Sequence, residues 1–403
     1  MELFWLEHKK LWRKKIVKIC VLLCFVYCVI FGSILSFQWF CFGSSDDYTS
    51  AFGNNFDGYT VIKDSQEYAL SFGGELTDET LQKIVSDYQQ MEADGMGEEL
   101  EKTDWQIVNS WLGTLYPELR DTSNYKTMIS YVDPDKLTGF YERRQQVLDE
   151  FLEVSGQVGA EKEFLHQIER KVEKPFRYEW VEGWSMLLGS MVADLGVVMA
   201  LFLGIVLSSL FAGEWHDNTS TLVLTTRNGW GKIALAKILT GLAFTVELFA
   251  LLAVSNVISQ LFFMGTAGWD MPIQNIKLIA VAPMNMLQAE IYEYAFVLLG
   301  AIGFAGIVMF ISAAVKNNVL TLLLSLAVVY GPMMIAEYLP YEMQKALDLI
   351  PLVGSSTDIF RTNTFRILGK LIWSPYLLIT IPVLIGILCM PFAIKSWSRR
   401  MKA

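Results

Sequence analysis

The sequence predicts an all-α membrane protein: six transmembrane helices, with a mainly helical extracytoplasmic domain between the first and second. Three observations carry this. The 403 residues are 53% hydrophobic and only 18% charged, with a mean hydropathy of +0.36. Ordinary soluble domains carry about 25% charged residues, so this chain has too little polar surface to cover a soluble core. Six stretches each supply the roughly 20 apolar residues that crossing a bilayer requires. Charge is also segregated: residues 41–183 hold 29 acidic against 13 basic side chains, a net of −16, and the remainder nets +6. The overall charge of −10 disfavours nucleic acid as a partner. An aromatic share of 13% is foreign to disordered chains.

The elements follow in order. Phe4, Trp5, His8, Leu11 and Trp12 fall on one face of an N-terminal helix, with Lys10, Arg13 and Lys14 opposite. That pattern reads as an amphipathic helix in the inner membrane interface, or as a bare basic flank; His8 reads as packing. Residues 1–40 comprise this helix and the first span, Ile16–Phe40, which is too long for a secretory signal and lacks a small-residue cleavage site. It reads as an uncleaved anchor. Cys20, Cys24 and Cys28 line one face of it as small packing residues, and Cys389 lies in another apolar run, so the acidic module has no internal disulfide.

The extracytoplasmic domain is assigned to 41–183, with helices over Asp78–Met91, capped at Thr77 or Asp78, and over Asp135–Val154. Gly53–Asn54, Gly73–Gly74 and Asp94–Gly95 read as turns. Residues 184–403 form a five-span membrane domain with spans at Trp184–Phe211, Ile233–Phe263, Tyr294–Ala314, Asn317–Ala336 and Leu371–Ile394. Basic residues before the first span (Lys9, Lys10, Arg13, Lys14, Lys15) and after the last (Lys395, Arg399, Arg400, Lys402) place both termini in the cytoplasm. The expected location is the plasma membrane, multi-pass. GAIGFAG at Gly300–Gly306 permits close helix contact, within one chain or between two.

Residues for catalysis are missing from the pattern. NGWGKIA at Asn228–Ala234 lacks the first glycine of a Walker loop and the Ser or Thr after Lys232. The histidines His8, His166 and His216 are not paired, and there is no G-x-S-x-G elbow. No catalytic residue, metal site or cofactor is expected. Two acids stand inside predicted spans, Asp194 and Glu247. Each would cost roughly 2.5–3.5 kcal/mol at the bilayer centre, so each should face other helices or a wet cavity. They are candidates for a substrate route, or for structural pairing or a place near the interface.

The most informative segment is FAGEWHDNTSTLVLTTRNGWGKIALAKIL, Phe211–Leu239. A Glu directly after a span, a short Leu-rich segment, a basic turn and a Lys opening the next span resemble the permeases of type-2 ABC exporters. Glu214, Thr219, Leu222, Leu224, Thr225, Arg227, Gly229 and Lys237 match that pattern; Asn218 stands where the family has glycine, and Thr226-Arg227-Asn228-Gly229 replaces its commoner turn. Arg177–Trp184, Leu347–Ser356 and Phe365–Leu377 resemble further segments of Gram-positive members with a large outer domain. The likeness covers the membrane half and hardly touches 41–170.

The resemblance implies a permease subunit of an ABC exporter. It implies a coupling loop, 212–232, with ATPase-coupling residues Glu214, Thr219, Leu222, Leu224, Arg227 and Lys237. It also implies a separate cytoplasmic ABC ATPase, itself dimeric, a second permease chain (same or different), and outward movement of a hydrophobic or amphipathic substrate such as an antimicrobial peptide. A rival reading is a membrane sensor or scaffold whose outer domain binds a ligand without transport.

Overall fold

A computed structural model describes residues 2–30, 66–67, 69, 73–96, 105–121, 127–188, 192–217, 231–354 and 362–399. The chain opens with helix α1 (Glu2–Arg13) and, after Lys14, α2 (Lys15–Val29). α2 is the described beginning of the predicted Ile16–Phe40 span; residues 31–40 lie outside the described residues, as does the turn at Gly53–Asn54.

The acidic module follows. Strand β1 (Gly74–Leu76) leads into α3 (Asp78–Met91), then come α4 (Trp105–Leu115), α5 (Phe140–Val154), α6 (Ala160–Glu169) and strand β2 (Phe176–Tyr178), which pairs antiparallel with β1. α3 spans the predicted residues and is capped by the Thr77 hydroxyl, which accepts from the Thr80 N–H. Two expectations are corrected. Gly74 lies in a strand, not a turn. The helix expected from Asp135 begins only at Phe140, because Pro134–Lys136 form a 3₁₀ turn and Gly139 takes a left-handed φ of 71°. The Asp78 carboxylate then accepts from the N–H groups of Gly139 and Phe140, satisfying the start of α5 from another helix.

The membrane half holds α7 (Glu182–Met186), α8 (Val192–His216), α9 (Lys232–Met264), α10 (Met286–Val315), α11 (Asn318–Ile335), α12 (Tyr341–Leu347), the hairpin β3 (Thr364–Ile367) and β4 (Lys370–Trp373), and α13 (Ser374–Arg399). Among the described residues, five helices are long and apolar enough to cross a membrane: α8, α9, α10, α11 with the turn that follows it, and α13. Their outward faces are apolar and exposed, as at Leu323 on α11 and Leu388 on α13, which is how lipid-facing helices look.

Two boundaries move, and Trp184, expected at the head of the second span, lies in α7 and shares a buried apolar cluster with Leu148, Leu152 and Leu165 of the acidic module. The fourth expected span begins at Met286 rather than Tyr294, because Asn285 and Gln288 form a capping box. Leu371 to Trp373, read as the start of the last span, pair as a strand.

Packing in the bundle is tightest between α10 and α13. A Cβ on Gly303 would sit 2.3 Å from the Pro382 carbonyl oxygen, and one on Gly306 would sit 2.5 Å from that of Gly386. Only glycine allows this approach, so the Gly300–Gly306 stripe is used within the chain.

The acidic module is fastened to the linker between α9 and α10. Trp180 Nε1 donates to Met264 O (3.1 Å), Trp184 Nε1 to Ala267 O (2.9 Å) and Trp111 Nε1 to Asn275 O (2.9 Å). The buried Arg144 guanidinium donates to Leu278 O (2.7 Å), Ala280 O (3.2 Å) and Glu169 Oε1 (2.5 Å). The module's folded unit therefore reaches beyond the expected 41–183 limit into residues 265–285.

Candidate functional site

The two coupling candidates that lie within the described residues meet. Glu214 is in the last turn of α8 and Lys237 in the second turn of α9, flanking the 218–230 segment from either side. An antiparallel helix pair brings such residues level, and both are buried. Lys237 Nζ donates to Glu214 Oε1 (2.9 Å), Glu7 Oε2 (2.9 Å) and the Leu210 carbonyl (3.1 Å), so its three donors are all used. Lys10 Nζ reaches the same Glu214 oxygen at 2.5 Å. Glu214 is thereby enclosed by this chain's own lysines.

The network ties α1 to the joint between α8 and α9. A cleft there is lined by Glu7, Lys10, Lys14, Ser209, Glu214 and Lys237, among others. Lys14 Nζ donates to Ser209 Oγ at 2.9 Å. Burial, then the neighbouring Lys237 and Lys10 ammoniums, push Lys14 below the ordinary lysine value. Burial also pulls on Lys10, but the hydrogen bond and charge of Glu214, with Glu7 and Asp217, outweigh it and hold its ammonium above the ordinary value.

The apolar residues of α1 are used in two ways. Leu11 is buried in the bundle core and Trp12 meets Phe244 of α9 edge to face at 5.7 Å. Phe4 stacks on His8 at 5.5 Å, while Trp5 stays exposed. The helix thus docks on α9 along one edge and leaves Trp5 exposed.

Glu247 is drawn into the same arrangement. Its carboxylate takes Trp12 Nε1 (3.0 Å) and lies 3.1 Å from His8 Nε2. Glu247 to Met264 runs about 27 Å at roughly 1.5 Å per residue, close to a bilayer core of about 30 Å. α9 is therefore long enough to cross beyond Glu247, which stands at the α1 end of the bundle. Thr219, Leu222, Leu224 and Arg227, and the side chain of Asp194, lie outside the described residues.

At the other end, sequence reasoning missed a polar cluster. Glu290 and Glu293 are buried on α10, with Asn256 and Gln260 on α9. Both acids fell outside the expected span because its start was placed at Tyr294. The N-x-x-Q signature at Asn285–Gln288 is the signal that would have found them. Among the described residues no group of histidine, cysteine and acidic side chains is spaced to hold a metal ion.

No family model, curated protein or solved structure matches this chain.

Proposed function

We propose that the chain is the membrane-spanning permease subunit of an ABC exporter, driven by a separate cytoplasmic ATPase. The observation that carries this reading is the enclosed Glu214–Lys237 pair at the root of the 218–230 segment. A loop that receives force must hang from a joint that does not yield. Here the joint is locked by a buried ion pair and clamped by a third element, α1, through Glu7 and Lys10. A soft turn between two spans would need none of this.

α9 supplies the lever. It runs without interruption from Lys232 to Met264, joined to α1 at one end and to the acidic module through Trp180 at the other. A rigid helix so held would carry a push at the coupling loop to the outer module. In this reading the α1 end faces the cytoplasm, two permease chains pair, and the cargo is a hydrophobic or amphipathic molecule such as a peptide. Glu214 acts by stiffening the joint and not by touching the ATPase. The loop residues proposed to meet the ATPase groove are Leu222 and Leu224.

The test is Leu222→Asp together with Leu224→Asp. Loss of the co-purifying ATPase and of export-dependent resistance, with normal membrane yield, is expected. Unchanged ATPase binding and unchanged resistance would remove the loop from the mechanism and leave the sensor reading in its place.

A further inference from the structure

We propose that Glu290 is a proton-binding site, holding a proton that it donates to the side-chain oxygen of Gln260 across the α9–α10 seam. The inference is independent of the coupling loop. It starts from register. Asn256 Nδ2 of α9 donates to the Tyr294 hydroxyl of α10 at 3.1 Å. The two helices run in opposite directions. One turn forward on α9 is Gln260, and one turn back on α10 is Glu290, so the pair that follows Asn256–Tyr294 is Gln260–Glu290.

Both are enclosed, Gln260 at 0% and Glu290 at 3% exposure. The Gln260 amide donates to Met186 Sδ at 3.2 Å, which leaves its oxygen as the polar atom turned elsewhere. That oxygen and both carboxylate oxygens of Glu290 have no hydrogen-bond partner among the described residues. Tyr294, one turn further along α10, lies beside Glu290, and because its oxygen accepts from Asn256 its O–H is available to the carboxylate. The other titratable groups nearby are Cys28 of α2, next to the phenol, and Glu293 further along α10; no described Lys, Arg or His stands beside Glu290.

Three buried acceptors thus share one level of the seam with the Tyr294 O–H as the one neighbouring donor among the described residues. Burying an ionised carboxylate without a partner costs several kcal/mol. A metal ion of the calcium type would need six or so oxygen ligands, more than this seam offers. One proton resolves the mismatch. The neutral acid then has an O–H to give, and Gln260 Oε1 is the acceptor waiting for it. If the outer end of the seam parts, water takes the proton and leaves the carboxylate solvated; closure reverses the transfer. Opening of α9 against α10 would then release one proton to water.

The test uses the full chain in lipid nanodiscs with dicyclohexylcarbodiimide. This apolar reagent takes up the acid's proton on nitrogen and accepts the carboxylate at carbon; the acyl group then shifts from that oxygen to nitrogen, breaking its C–O bond and leaving a stable N-acylurea. Peptide mass spectrometry then reads which carboxyl reacted. Modification of Glu290 in mildly acid buffer, lost as the buffer is made alkaline, is expected. An unmodified Glu290 at every pH, or modification that ignores pH, overturns the proposal. Glu290→Gln gives a second readout, because its amide can make the same bond to Gln260. It should keep the wild-type melting midpoint in acid buffer and lose the fall in midpoint that the wild type shows on alkalinisation. An alkaline fall of the same size in wild type and E290Q contradicts the proposal.

Discussion

Lys237→Met tests the joint most sharply. The methionine keeps the length of the side chain and removes the ammonium. Lys237 is 2% exposed and donates to Glu214, Glu7 and the Leu210 carbonyl, so the change takes one of two lysines from the buried Glu214 and the Lys237 ammonium from Glu7. Removing one partner of a buried, hydrogen-bonded pair costs about 3–5 kcal/mol. Lys10 remains on Glu214, which places the expected loss near the lower end, at about 3 kcal/mol. Glu214→Gln alone leaves Lys237 with Glu7 and the carbonyl, and should cost about 1–3 kcal/mol. The double variant should cost less than the two together by about 1–3 kcal/mol, because neither change then strands a charge on the other. Denaturant or thermal unfolding of the detergent-solubilised chain measures all four corners of the cycle. Strict additivity, or a single-variant loss below about 0.5 kcal/mol, would refute the locked joint.

Other outcomes follow from the same geometry. Gly306→Ala should sharply lower folded yield, since its Cβ would lie 2.5 Å from the Gly386 carbonyl oxygen on α13; normal yield on size-exclusion chromatography would contradict the close α10–α13 contact. Arg144→Met should cost about 3–5 kcal/mol in the stability of the acidic module, read by thermal melting, because it leaves Glu169 with Lys174 and takes the guanidinium donor from the Leu278 carbonyl. Acid should loosen the same clamp. Burial pulls the Glu169 carboxyl up, but Lys174 and Arg144 outweigh it and hold it below its ordinary 4.5. The stability it adds is therefore complete above that value and is lost as pH falls through the lower folded value. Limited proteolysis of the module across an acid series checks this, and Glu169→Gln should flatten the profile.

How far the sequence could be read differs between elements for physical reasons. α9 and α11 lie almost where apolar runs and polar flanks placed them, since a helix alone must satisfy its backbone in lipid. The hairpin at Thr364–Trp373 was invisible because Leu371–Trp373 continue into α13 without a polar break. The Leu368-Gly369 turn, with φ of 51° and 80°, was its only mark. Glu214 and Lys237 were each legible as flanks of one loop, and their pairing follows from an antiparallel hairpin. The part played by α1 did not. A helical wheel sends Lys10 away from the apolar face, and only Glu214 on a distant helix draws it back. The same holds for Glu290 and Gln260, whose meeting depends on register between helices and not on any local pattern.

The most direct measurement of the central claim is purification of the wild-type chain from native membranes, followed by mass spectrometry of what accompanies it. An ABC-type ATPase in about equal amount to the chain, released by Leu222→Asp with Leu224→Asp, is the expected result. A complex without any nucleotide-hydrolysing subunit, or with a histidine kinase alone, would contradict the permease reading.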